Sequence, residues 1–267
     1  MMAKFLKNEI TKLVHSKKLY ILIGFIIFMA ISICFIMNSQ EARLESNPKE
    51  ALEYSKEMLN DLLNMNSSIF LKQLGTEFIF RTAAPYFAFF MIVFSIGIFG
   101  EDFFSGNMKF FIRLHKDNSS IFKAKVLSLI VYSFLVVVLT LLLGFIVGIF
   151  FFGLSFKGLS QVILIYLSAI IPMASWGLIF GLVSMYIKNK NVSIALGIAV
   201  SIFLSISDKT TITNNFSPIG VIGYVGRVRF DGVDFKTLII GNLVALIYFV
   251  VAYFIGKNIF EKREFSY

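Results

Sequence analysis

Charge is scarce in this sequence: Asp, Glu, Lys and Arg make up 15% of 267 residues, against about a quarter in soluble domains. So little charge cannot cover the outside of a soluble domain of this size, which excludes a soluble enzyme. Cysteine is nearly absent too. The single Cys34 excludes an internal disulfide framework and any multi-cysteine zinc or iron–sulfur site, and its apolar surroundings make it a small hydrophobe. Histidine is limited to His15 and His115, which supports neither a metal site nor a proton relay. No Gly-x-x-x-x-Gly-Lys-Ser/Thr, His-Glu-x-x-His or Gly-x-Ser-x-Gly sequence occurs. The chain therefore has no P-loop for ATP and no recognisable hydrolytic centre, and it is read as a non-enzyme without a cofactor or metal of its own.

What the chain has in abundance is apolar sequence, with 57% hydrophobic residues and 32 Phe at a mean hydropathy of +0.81. A hydrocarbon layer about 30 Å thick takes roughly 20 apolar residues of helix to cross. Uncharged runs of about that length recur six times, giving expected spans at about 19–37, 82–100, 126–150, 160–187, 191–207 and 237–256. The third and fourth runs extend beyond these limits, and the fifth is the shortest. Only helices keep their backbone satisfied in lipid. The fold class is thus an all-α membrane protein, one transmembrane domain over residues 1–267. The first run is too long for the apolar part of a signal peptide and no small-x-small site follows it, so it reads as an uncleaved span.

Placing the N-terminus in the cytoplasm sorts the charge. Segments 1–18, 101–125, 188–190 and 257–267 then carry 15 basic and 6 acidic residues, and the opposite side carries 10 of each. The whole net charge of +9 falls inside, as expected for six spans with both termini in the cytoplasm. Basic loops facing anionic lipid account for the high pI without nucleic acid.

Residues 3–17 place Leu6, Ile10, Leu13 and Val14 on one helical face and Lys4, Lys7 and Lys12 mostly on the other, the pattern of a helix on the membrane surface. The outer segment 38–81 is expected to be helical, starting from an Asn47-Pro48-Lys49-Glu50 cap and continuing as an amphipathic stretch, resting on the outer leaflet or on another subunit. The segment 101–125 reads as a cytoplasmic hairpin whose Phe103, Phe104, Phe110 and Phe111 want the membrane interface or a protein groove. In the outer loop 208–236, residues 219–225 are apolar and Gly-punctuated, a re-entrant or surface segment. Gly144, Gly148, Gly177 and Gly181 form two Gly-x-x-x-Gly pairs for close helix packing, within one subunit or between two. Pro85 and Pro172 are expected to kink their helices. No Asp, Glu, Lys, Arg or His lies inside the six runs, so neither an intramembrane enzyme nor a proton- or sodium-coupled carrier finds its chemistry here.

This arrangement resembles the membrane subunit of ABC-2-type ATP-binding cassette exporters over nearly the whole chain. The local match is Glu101-Asp102-Phe103-Phe104-Ser105-Gly106-Asn107-Met108 at the end of span two, similar to the family's acidic residue followed by Gly-Thr, with Asn107 in place of Thr. Ser119-Ser120 with Lys123 and Lys125 is similar to the family's Ser-Arg and Lys, without the Arg, and Ser217-Pro218 precedes span six as in family members. The resemblance implies a coupling segment at 110–122 that docks on a separate ATPase subunit, which carries the ATP and Mg. Phe110 would open this segment, Phe111, Leu114 and Ile121 would be apolar anchors, Arg113, Lys116 and Asp117 rim charges, and Glu101 would sit at the mouth of span two. It further implies a second permease subunit, identical or similar. Small Gram-positive permeases of this shape resemble exporters of, or immunity devices against, bacteriocins, lantibiotics and cytolytic peptides, so an amphipathic peptide is the favoured cargo over a drug or lipid. The reading from another class is a membrane sensor or scaffold that recognises a partner through an outer helix at 47–66.

Overall fold

A computed structural model describes residues 2–46, 61, 63–81, 85–106, 118–187, 189–207, 215–226 and 235–262. Every regular element among them is helical. The expected cap at 47–50 and nearly all of the outer helix proposed for 47–66 lie outside the described residues.

The N-terminal amphipathic sequence forms α1, Met2–Val14. After a turn at His15 and Ser16 the chain enters α2, Lys17–Ser46, which runs on past the expected end of the first span at residue 37. Nothing in 38–46 breaks a helix, and Ser39 satisfies its hydroxyl on the Ile36 carbonyl at 2.8 Å.

The next described helix lies in the same outer segment but beyond its amphipathic stretch, which falls almost wholly outside the described residues. α3, Ser67–Phe78, starts at Asn66, whose side chain accepts from the Ser68 and Ile69 amides at 3.0 and 3.1 Å. Phe70, Leu71, Leu74 and Phe78 recur at helical spacing and are fully buried, so α3 is inserted into the bundle. Lys72 and Glu77 hide it from a search for uncharged runs.

α4, Tyr86–Ser95, continues through a π-helical turn, Ile96–Gly100, into the single turn α5, Glu101–Phe104. Pro85 stands at the N-cap of α4, so it starts this helix instead of kinking it; there its missing N–H leaves no helix bond unmade. α6, Asn118–Phe152, is 35 residues long, about 52 Å at helical rise. The long fourth run divides into α7, Leu159–Ser168, and α8, Ile170–Tyr186. The break falls at Ala169, where the amide turns back to the Tyr166 carbonyl at 3.1 Å. Pro172 explains it, since its ring crowds the carbonyl four residues earlier and offers no N–H in return. α9, Lys190–Ser207, is capped by Asn189. The Gly-punctuated outer stretch forms α10, Gly220–Gly226, which is buried against α11, Phe235–Lys262.

α6 is the hub, touching α1, α2, α3, α8 and α11, while α8 packs on α4, α6 and α11. Glycines set the closest approaches. A Cβ at Gly144 would stand 2.5 Å from Leu74 Cδ2, and one at Gly148 would stand 3.1 Å from the Ser67 backbone. On α8, a Cβ at Gly177 would meet Leu129 at 2.9 Å and one at Gly181 would meet Phe99 at 2.5 Å. All four glycines thus face neighbours within this chain.

The outside of the bundle is apolar, with Phe28, Phe35, Phe134, Phe150, Phe203 and Phe254 all exposed. In water such a coat would drive aggregation; lipid is its natural solvent. Four stretches among the described residues are long and apolar enough to cross a membrane: Lys17–Gln40, Asn118–Phe152, Leu159–Tyr186 taken through its break, and Phe235–Glu261. Tyr86–Gly100 and Lys190–Ile206 are apolar but shorter.

Candidate functional site

The π turn sets the geometry at the base of the hairpin. Within it the Glu101 amide donates to the Ile96 carbonyl, five residues back, so the turn is one residue wider than an α turn. The Ile98 carbonyl accepts from the Lys125 ammonium, which comes across from α6. Two adjacent acids follow the turn at once, and each draws in two lysines.

Asp102 faces inward. Its Oδ2 lies 2.5 Å from Lys125 Nζ and its Oδ1 lies 3.3 Å from Lys12 Nζ. Glu9 of α1 completes the group, 3.1 Å from Lys12 and 3.7 Å from Lys125. Lys125 is only 2% exposed, and Glu9 and Asp102 are buried as well. Two positive and two negative charges therefore balance, joining α1, α5 and α6, with Lys12 alone of the four reaching the surface. Buried charges are tolerated only when compensated in this way. Burial alone would raise the Asp102 pKa, but Lys125 foremost and then Lys12 outweigh it and hold the carboxyl below its usual value. Burial would likewise lower Lys12, and Glu9 and Asp102 together hold it above the ordinary lysine value.

Glu101 faces the other way. Its Oε1 accepts from Lys18 at 3.2 Å and from Lys190 at 2.6 Å, tying α5 to α2 and to the start of α9. Burial pushes this carboxyl up, while the bonds and charges of Lys190 and Lys18 pull it further down, for a net lowering. Gly97 makes room for the Lys18 ammonium, since a side chain there would collide with it. Between the two clusters is a cavity of about 50 Å³ bounded by Lys12, Ser16, Lys18, Ile98 and Glu101. The buried Ser16 hydroxyl has no hydrogen-bond partner among the described residues, and the space suits a bridging water.

Of the residues expected at the coupling surface, Glu101 stands in this site. Phe110, Phe111, Arg113, Leu114, Lys116 and Asp117 lie outside the described residues. Ile121 is placed differently from the expected docking anchor: it is 2% exposed and packed in the bundle core. The reason is that α6 already begins at Asn118, and Ile121 lies with Phe122 on its packed side. Sequence reasoning missed the partnership of Glu9, Lys12, Asp102 and Lys125. One signal was available: Glu9 sits at helical spacing between Leu6 and Leu13 on the apolar face of α1, and an acid there calls for a buried cation.

Among the described residues, no group of three or more His, Cys, Asp or Glu is placed to hold a metal ion. What the arrangement provides is mechanical. The helices that flank residues 107–117 are fastened by charge to three others: α5 and α6 to α1, and α5 also to α2 and α9. No protein-family model and no curated protein sequence matches the chain.

Proposed function

We propose that this chain is the permease subunit of an ATP-driven exporter of the ABC-2 type, with six spans, both termini in the cytoplasm, and segment 107–117 as the tip that meets a separate ATPase. The observation that carries this reading is the pair of ion clusters, Glu9–Lys12–Asp102–Lys125 and Lys18–Glu101–Lys190. A hairpin that only links two spans has no need of a neutral charge quartet, three of its members buried, at its base. A hairpin that receives force does, because loosely attached ends would let it move without moving the helices. In this account the shorter helices Tyr86–Gly100 and Lys190–Ile206 are the second and fifth spans. They are the two elements bonded most directly to Glu101, so they would tilt first when the ATPase closes on ATP.

The energy comes from the partner, since the sequence has no P-loop. The cargo is an apolar or amphipathic molecule, with a membrane-active peptide as the favoured class. That choice is supported by spans without ionisable residues, which offer nothing to a strongly charged solute crossing at depth. The working unit is two such permeases, identical or similar, with two ATPase subunits.

The test is purification of a tagged chain from its native host in mild detergent, with identification of what accompanies it. A stoichiometric P-loop ATPase, lost on Leu114→Glu, is the expected result. Recovery of the chain alone, or with an ATPase indifferent to that substitution, contradicts the reading.

A further inference from the structure

α6 is long enough to place its two ends on opposite faces of a bilayer. Its Asn118 end holds the ion clusters. At its Phe152 end opens a second feature, a cleft of about 770 Å³ lined by the start of α3 and the turn between α6 and α7. The cleft wall is fastened. The Ser67 and Ser68 hydroxyls both donate to the Ser155 carbonyl, at 3.1 and 2.8 Å, and the Ser155 amide donates to Ser67 Oγ at 2.9 Å. Gly158, at φ +77°, then turns the chain into α7, which brings Lys157 and Gln161 to the same cleft.

Most polar groups around the cleft are already engaged. Lys72 pairs with Asp61 at 2.6 Å. The Asn66 side chain caps α3 and donates to the Asn64 carbonyl at 3.1 Å. The Lys157 ammonium and the Gln161 side-chain carboxamide have no ion pair or hydrogen bond with any of the described residues. The cleft thus presents one uncommitted cation and one uncommitted amide, four residues apart, over the apolar side chains of Ile69 and Val162. One positive charge beside one hydrogen-bond donor matches a phosphodiester, which carries a single negative charge on two free oxygens.

The depth of the cleft identifies the molecule that carries the phosphate. Phe150 in the last turn of α6, and Leu154 and Phe156 in the turn that follows, are exposed, Phe150 to 83%. Exposed Phe and Leu side chains at the end of a membrane-spanning helix mark contact with acyl chains where the hydrocarbon layer ends. A ligand held there has its polar part in the cleft and its chains against this apolar collar. We propose that the cleft binds the phosphodiester headgroup of a bilayer phospholipid, with Lys157 neutralising the phosphate and Gln161 donating to it. This assignment does not depend on the transporter reading.

The experiment is calorimetric titration of the full-length protein in detergent with dihexanoyl-phosphatidylglycerol, dihexanoylglycerol, inorganic phosphate and an amphipathic peptide with a free C-terminal carboxylate. Saturable binding of the phospholipid is expected, weakened about tenfold or more by Lys157→Glu and several-fold by Gln161→Leu. Dihexanoylglycerol is expected not to bind. An unchanged melting temperature and elution volume show that the variants are folded, and Lys4→Gln, at the other end of the molecule, is expected to bind like wild type. Phospholipid binding that is unaffected by Lys157→Glu would overturn the proposal. So would equal affinity for inorganic phosphate, which makes this a free-anion site, or binding of the peptide through Lys157 without the phospholipid.

Discussion

Lys125 Nζ lies 2.5 Å from Asp102 Oδ2, closing a loop of 23 residues at its base. The same ammonium also satisfies the Ile98 carbonyl in the π turn. Each feature depends on the other. In an α-helical turn Asp102 would be rotated by about 100° away from Lys125. The π turn therefore aims Asp102 at α6, and Lys125 satisfies the carbonyl that faces it there.

Removing one member of the quartet should cost far more than removing two. Lys125→Met leaves Asp102 and Glu9 with Lys12 as their one remaining cation, an expected loss of about 3–5 kcal/mol. The double variant Lys125→Met/Asp102→Leu should be clearly less damaged than the sum of the single ones. Unfolding in micelles, analysed as a double-mutant cycle, reads this directly; additive losses would mean that the two side chains do not interact.

The Glu101 cluster should behave differently although it holds the same number of lysines. Its carboxylate is 48% exposed, and exposed ion pairs contribute about 1 kcal/mol at most. Glu101→Gln is therefore expected to leave stability nearly unchanged, while Asp102→Asn costs several-fold more. Equal costs at the two positions would contradict the difference in burial.

The pH dependence follows from the direction of each shift. Asp102 is held below its ordinary value of 3.8, so its contribution is complete above that pH and is lost as pH falls through the lower folded value. Lys12 is held above its ordinary value of 10.5, so its contribution is complete below that pH and is lost only as pH rises past it. The stability margin of the wild type over Asp102→Asn should be flat from about pH 5 to 8 and shrink below about 4. A margin that falls steadily between pH 8 and 5 would show that another group governs the cluster.

Two glycines allow a controlled test of packing. Gly148 faces the Ser67 backbone, with a Cβ position 3.1 Å from Ser67 Cα, whereas Gly24 has nothing within 4 Å. Gly148→Ala should destabilise by about 1–3 kcal/mol through overpacking, and Gly24→Ala should be neutral or mildly stabilising. Thermal denaturation of the two variants decides; equal effects would mean that α3 does not lie against α6.

The long helices were legible because a run without charge is a direct record of lipid contact. α2, α6, the α7–α8 pair and α11 all follow from it, and Pro172 marks the break near Ala169. α3 was not legible by that rule. Lys72 and Glu77 interrupt its apolar face, and it is buried by protein, so only the spacing of Phe70, Leu71, Leu74 and Phe78 betrays it. The ion clusters were legible only in part. Glu101 and Asp102 stood out as adjacent acids at the end of a span, but their lysines come from residues 12, 18, 125 and 190, and no local pattern links positions so far apart. Ile121 was misplaced because Asp117, Asn118, Ser119 and Ser120 are all good capping residues, so the sequence leaves the start of α6 open by several positions.

The most direct measurement uses the single native cysteine to advantage. Cys34 is buried and can be replaced by Ala, leaving Leu114→Cys as the one thiol for a benzophenone maleimide in membranes of the native host. The account predicts a light-dependent adduct between position 114 and a P-loop ATPase, identified by mass spectrometry. An adduct to lipid alone, or to a protein with no nucleotide-binding motif, would contradict the claim that this hairpin is where ATP hydrolysis reaches the membrane helices.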